Sequence, residues 1–147
     1  MSGPERERAA VLAYLSWSRA LLARHPSAGR AALDPILTAL KGGDPAPVLA
    51  EAAKAERILA ELREPPAAVG VPAACESLHD GQQRLFSAVA EMLREQAGYA
   101  RGKDGAMRHV VRTLRSMQRI VRLARRTEAE AKALESAHRA GPAPADR

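Results

Sequence analysis

The chain has 147 residues and a formal net charge of +6; 46 % of its residues are hydrophobic and only 3 % are aromatic. Ala and Leu, which favour helices, supply most of the apolar content, and no stretch alternates apolar and polar residues as a strand would. This pattern excludes a β-rich fold. We therefore expect an all-α protein that forms a single domain over residues 1–140.

The first helix is predicted to begin near Pro4, because Ser2 and Glu5 have the spacing of a capping box. It is expected to end before Pro26, since the residue that precedes a proline avoids helical backbone. A short helix is predicted within residues 27–41, where an Asp-Pro pair gives a start signal and a Gly-Gly pair gives a stop.

Two longer helices are predicted in the middle of the chain. The first begins at Asp44 and ends at Glu64, which is followed by two prolines. The second runs from about Pro72 to Ala97, and the Asp80-Gly81 pair marks a point where it could kink or split. The connections are short, so neighbouring helices are expected to run antiparallel in a small bundle of four main helices and one short helix.

A long basic helix is predicted after Asp104. Its apolar residues fall on one arc, which predicts the side that packs into the bundle. The members of this predicted arc are Met107, Val110, Val111, Leu114, Met117, Val121 and Ala124.

Two signals predict that the body of the bundle ends near residue 126. Arg125 falls on the apolar arc, and Thr127 has capping-box spacing to Glu130, as if a helix restarted there. Residues 127–139 are therefore predicted to project as a helical extension, and residues 141–147 to form a disordered tail.

Positive charge is concentrated in one segment of the sequence. Residues 101–126 contain nine basic residues and one acidic residue, so the remainder of the chain has a small negative balance. Six of these cations recur at helical spacing on the side opposite the predicted apolar arc, and we call them the arginine row. The arginine row consists of Arg108, Arg112, Arg115, Arg119, Arg122 and Arg126.

The arginine row is interpreted as a binding surface for an acidic macromolecule, with a protein partner as the first hypothesis. Sequence-independent binding of nucleic acid is the alternative, although aromatic residues for base stacking are missing. A third interpretation is a solvated face that pairs with acids on neighbouring helices. The acids considered for this pairing are Glu51, Glu56, Glu61 and Glu91.

A distant alternative is a ferritin-like bundle that binds metal. Glu76 and His79, and again Glu135 and His138, have the Glu-x-x-His spacing of di-iron carboxylate proteins. Folding the last two long helices on each other about residue 100 would leave the two pairs out of register. We therefore predict no metal site and no cofactor.

No nucleotide-binding, metalloprotease or nucleophile motif is present in the sequence, so we expect no catalytic residues and no enzyme. Cys75 is the single cysteine and is expected in the core. The N-terminal segment has acidic residues and no apolar run, which predicts a cytoplasmic protein without membrane association. Self-association into a homo-oligomer remains open.

Overall fold

The computed structural model describes residues 2–24, 45–99 and 106–139. This part of the chain forms four α-helices and no strand: α1 (Gly3–Ala23), α2 (Ala46–Arg63), α3 (Glu76–Tyr99) and α4 (Ala106–Arg139). The helices pack against each other, so the predicted all-α helical bundle is confirmed. The short helix predicted within 27–41 and the tail predicted for 141–147 lie outside the described residues.

Helix α1 begins where the sequence predicts. The Ser2 hydroxyl accepts a hydrogen bond from the Glu5 N–H, and the Glu5 carboxylate accepts one from the Ser2 N–H, both at 3.3 Å. This reciprocal capping box satisfies two backbone donors at the helix start. The helix ends at Ala23, just before the predicted stop. Its buried side consists of Val11, Tyr14, Leu15, Ser18 and Leu21.

Helices α2 and α3 form an antiparallel hairpin. Arg94 near the end of α3 donates hydrogen bonds to Glu56 in the middle of α2. The connection turns at Gly70, whose φ of 61° is in the left-handed region that favours glycine. The Gly70 N–H donates to the Pro66 carbonyl at 2.9 Å, which closes this turn. A 3-10 turn over Ala73–Cys75 then leads into α3.

Helices α3 and α4 also run antiparallel. Near the end of α3 the Gln96 amide donates to the Thr113 hydroxyl, and near its start Gly81 lies against Thr127. A Cβ added at Gly81 would come within 3.0 Å of the Thr127 Cγ2 atom. The helix continues through Gly81 without interruption, so the predicted split is absent and the glycine instead permits a close approach of the two helices.

The predicted extension at residues 127–139 is wrong. Helix α4 is continuous to Arg139, and Thr127 is a buried interior residue whose hydroxyl donates to the Ala124 carbonyl at 3.0 Å. Ala131 and Leu134 pack against the core side of α1. This half of α4 therefore belongs to the bundle and lies along α1 instead of projecting from it.

The buried side of α4 also differs from the predicted apolar arc. The residues that face the bundle recur at heptad-like spacing along the helix, which drifts by only about 20° per heptad around the helix axis and so forms one slowly turning stripe. This inward stripe consists of Thr113, Met117, Ile120, Ala124, Thr127, Ala131 and Leu134. Three members of the predicted arc, Val111, Leu114 and Val121, are exposed. Continuing the arc beyond Ala124 would also bring Arg125 and then Glu128 into the bundle.

Candidate interaction surface on helix α4

The arginine row lies on the solvent side of α4. Five of its six members have exposed side chains: Arg112, Arg115, Arg119, Arg122 and Arg126. The backbone of Arg108 belongs to the same helix, while its side chain lies outside the described residues. At about 100° per residue, the row is centred roughly 120° from the buried stripe, so it flanks the bundle without entering it.

Most of the row has no acidic partner within the described residues. Arg126 pairs with Glu130 one turn later at 3.6 Å, whereas no carboxylate of the described chain pairs with Arg112, Arg115 or Arg122. Arg119 shares a shallow depression with Glu91 but forms no ion pair there.

Three of the four acids considered as internal partners of the row lie against other cations. Glu56 is bound by Arg94, and this hydrogen bond holds the pKa of the Glu56 carboxyl below its ordinary value. Glu61 accepts from Arg24 at 2.8 Å, and Glu51 pairs with Lys54 at 3.0 Å. Internal charge balance therefore accounts for little of the row.

A second exposed feature of α4 is an apolar strip next to the row. It comprises Val111, Leu114 and Val121, whose exposed fractions are 43 %, 54 % and 41 %. These residues were predicted to lie in the core, because they belong to the predicted arc. Ile120, which that arc omits, is the side chain that the structure buries to 2 %. Row and strip together occupy the solvent side of this part of α4.

The two Glu-x-x-His pairs do not assemble into one site. Glu76 is exposed, and the His79 Nδ1 atom is 2.8 Å from the Tyr14 hydroxyl. Glu135 is bound by Arg19, whose hydrogen bond lowers the pKa of the Glu135 carboxyl, while the His138 Nδ1–H donates to the Leu134 carbonyl at 2.8 Å. Within the described ranges, no group of three metal-ligating side chains is placed to hold an ion.

Cys75 is fully buried, and burial raises the pKa of its thiol to about 11. Because the thiolate is the reactive form of cysteine, this side chain is placed as a core residue and not as a nucleophile. None of the helices in the described residues combines the length and the apolar character needed to cross a membrane.

No protein-family model, curated protein or solved structure matches this chain.

Proposed function

We propose that the protein is a non-enzymatic adaptor or regulatory protein that binds an acidic protein through the arginine row of α4. One observation carries this proposal: a run of exposed guanidinium groups, most of them without an acidic partner in the described chain, lies beside an exposed apolar strip. The cytoplasm remains the predicted place of this interaction.

Repulsion between neighbouring arginines of the row lowers the stability of the isolated protein. Like charges three or four residues apart on a helix destabilise it by roughly 0.2–0.5 kcal/mol per pair. Arg115 and Arg119 form one such pair, and Arg122 and Arg126 form another. A ligand that brings negative charge to this face would remove the repulsion, and the row would also accelerate its association by electrostatic attraction.

The apolar strip favours a protein partner over a partner that offers only negative charge. Val111, Leu114 and Val121 would be buried by a surface that combines acidic groups with apolar side chains, and an amphipathic acidic helix has this chemistry. Nucleic acid offers phosphates for the row but little that would cover the strip. A two-fold contact between copies centred on the row would bring arginine against arginine, which disfavours self-association through this face.

The test compares two charge-reversal variants with the same change in net charge. The row variant carries Arg112→Glu and Arg115→Glu. The control variant carries Arg6→Glu and Arg57→Glu, which are exposed positions on α1 and α2. Arg119 is left unchanged, because a glutamate there would be placed beside Glu91 and could disturb the fold.

Proteins retained from nuclease-treated native lysate are identified by mass spectrometry for the wild type and both variants. We expect an acidic protein that is retained by the wild type and the control variant and is lost with the row variant. Leu114→Ser is expected to weaken its retention as well. Loss of all retained material on nuclease treatment would instead favour nucleic acid, and equal retention by all forms would contradict the proposal.

A further inference from the structure

Helices α1, α3 and α4 leave a cavity of about 480 Å³ between them, on the side of the bundle away from α2. The cavity is open to solvent on one side, and its volume lies within the range of small-molecule sites. The floor is formed by Leu85, Phe86 and Val89 of α3. The space arises because α1 and α4 present small residues such as Ala23, Ala124 and Ala131 at its edges.

One polar group in this cavity lacks a full set of partners. Gln82 is 2 % exposed and lines the cavity floor. Its amide oxygen accepts a hydrogen bond from the Tyr14 hydroxyl at 3.2 Å, and its amide nitrogen has no acceptor among the described residues. If the amide is turned over, the nitrogen meets Tyr14 and the oxygen is left without a donor. Buried polar groups are almost always hydrogen-bonded to protein or to ordered water, so this amide has a position for a further hydrogen-bonding group inside the cavity.

The other polar groups around the cavity already have partners. The Ser18 hydroxyl donates to the Leu15 carbonyl at 3.3 Å. At the rim, Lys132 pairs with Glu128 at 3.2 Å, and Arg19 is bound to Glu135. The rim therefore offers no free cation for a carboxylate or phosphate, and the cavity favours an uncharged ligand.

We infer that the cavity is a binding site for a small, neutral, largely apolar alcohol or phenol. Its apolar body fills the space over Phe86 and Val89, and its hydroxyl group bonds to the Gln82 amide. A hydroxyl both donates and accepts, so it satisfies the amide in either orientation. This site is on a different face from the arginine row and does not depend on the function proposed above.

The experiment compares 1-naphthol with naphthalene, two fluorescent probes that differ by one hydroxyl group, in titrations of the full chain. We expect the wild type to bind 1-naphthol about 10-fold more tightly than naphthalene, the factor that one net hydrogen bond supplies. Gln82→Leu should abolish this preference and retain naphthalene binding.

A filling variant tests the location of the site. Ala124→Phe places a ring in the cavity and should weaken the binding of both probes more than about 10-fold, since it removes the space. Ala133→Phe is the matched control, because Ala133 is exposed on α4 and does not line the cavity. Circular dichroism checks whether each variant is folded. If Gln82→Leu fails to fold, the comparison of Ala124→Phe with Ala133→Phe still shows whether the probes bind in this cavity.

Three results would overturn the inference. The first is wild-type protein that binds neither probe, as expected if the chain itself or tightly held water fills the cavity. The second is unchanged binding by Ala124→Phe, which would place the probes elsewhere. The third is a folded Gln82→Leu variant that still prefers 1-naphthol.

Discussion

Tyr14 links α1 to α3 through a small buried polar cluster. Its side chain is fully buried, and its hydroxyl is bonded to both His79 and Gln82. Burial, with a smaller contribution from the neighbouring Cys75, raises the pKa of the Tyr14 hydroxyl, so it stays protonated and can donate. The same environment disfavours a charge on His79, and burial lowers the pKa of its imidazole despite the opposing effect of Asp80.

This shift predicts a pH dependence of stability. His79 has a lowered pKa in the folded protein, while in the unfolded chain its pKa is about 6.5. As the pH falls below about 6.5, the unfolded chain therefore takes up the proton first, and the free energy of unfolding decreases. Urea denaturation at pH 7.5 and pH 5.5 measures this loss, which should be smaller in His79→Gln.

His138→Gln is the control, because His138 lies outside the Tyr14 cluster and donates to the Leu134 carbonyl within α4. It should lose stability with falling pH as the wild type does. An equal loss in wild type and His79→Gln would show that the Tyr14 cluster does not resist protonation.

The rotation of helix α4 about its own axis determines which of its side chains are exposed to solvent. The inward stripe buries Ile120, and the same rotation leaves Leu114 on the solvent side with 54 % exposure. The Gln96 bond to Thr113 and the contact of Gly81 with Thr127 hold the helix in this orientation at two places. Both involve threonines that a hydrophobicity pattern reads as polar.

Two alanine substitutions test this orientation. Ile120→Ala should lower the free energy of unfolding by about 2–4 kcal/mol, because it removes a buried side chain and leaves a cavity. Leu114→Ala should change it by less than about 0.5 kcal/mol, as is usual for exposed positions. Denaturant unfolding of both variants provides the comparison. A larger effect at Leu114 than at Ile120 would restore the arc predicted from the sequence.

The sequence predicted the helices well and the faces of α4 poorly. The capping box at Ser2 and the proline after Glu64 are local signals, and local chemistry decides where a helix begins or ends. Which face is buried depends on the neighbouring helices. On α4 the most apolar arc and the longest continuous stripe are different. The stripe is the side that packs into the bundle, and it includes Ile120, Thr127 and Leu134.

The sequence also predicted only part of the candidate site, because the exposed face of α4 depends on how the helix packs. The helical spacing of the arginine row follows from the sequence alone, and the exposure of five of its side chains agrees with the predicted position outside the core. The apolar strip beside the row could not be predicted, because its residues were assigned to the core. The cavity was not predicted either, although Gln82, a buried amide among the apolar residues of α3, was the available signal for it.

In the whole molecule, the core and the proposed binding surface are separate. The core joins α2 and α3 to one side of α4, and a second cluster joins α1 to the C-terminal half of α4. Neither cluster includes a member of the arginine row. Charge on this face can therefore change with little effect on the fold, and the row is available to a partner.

The most direct test is the dissociation constant of the acidic protein retained from lysate, measured for wild type, row variant and control variant at the same ionic strength. We expect the affinity of the row variant to be weaker on the order of 100-fold, chiefly through slower association, and that of the control variant to change by less than about threefold. Thermal unfolding of both variants should remain close to wild type. Equal affinities for the row and control variants would contradict the assignment of the arginine row as the binding surface.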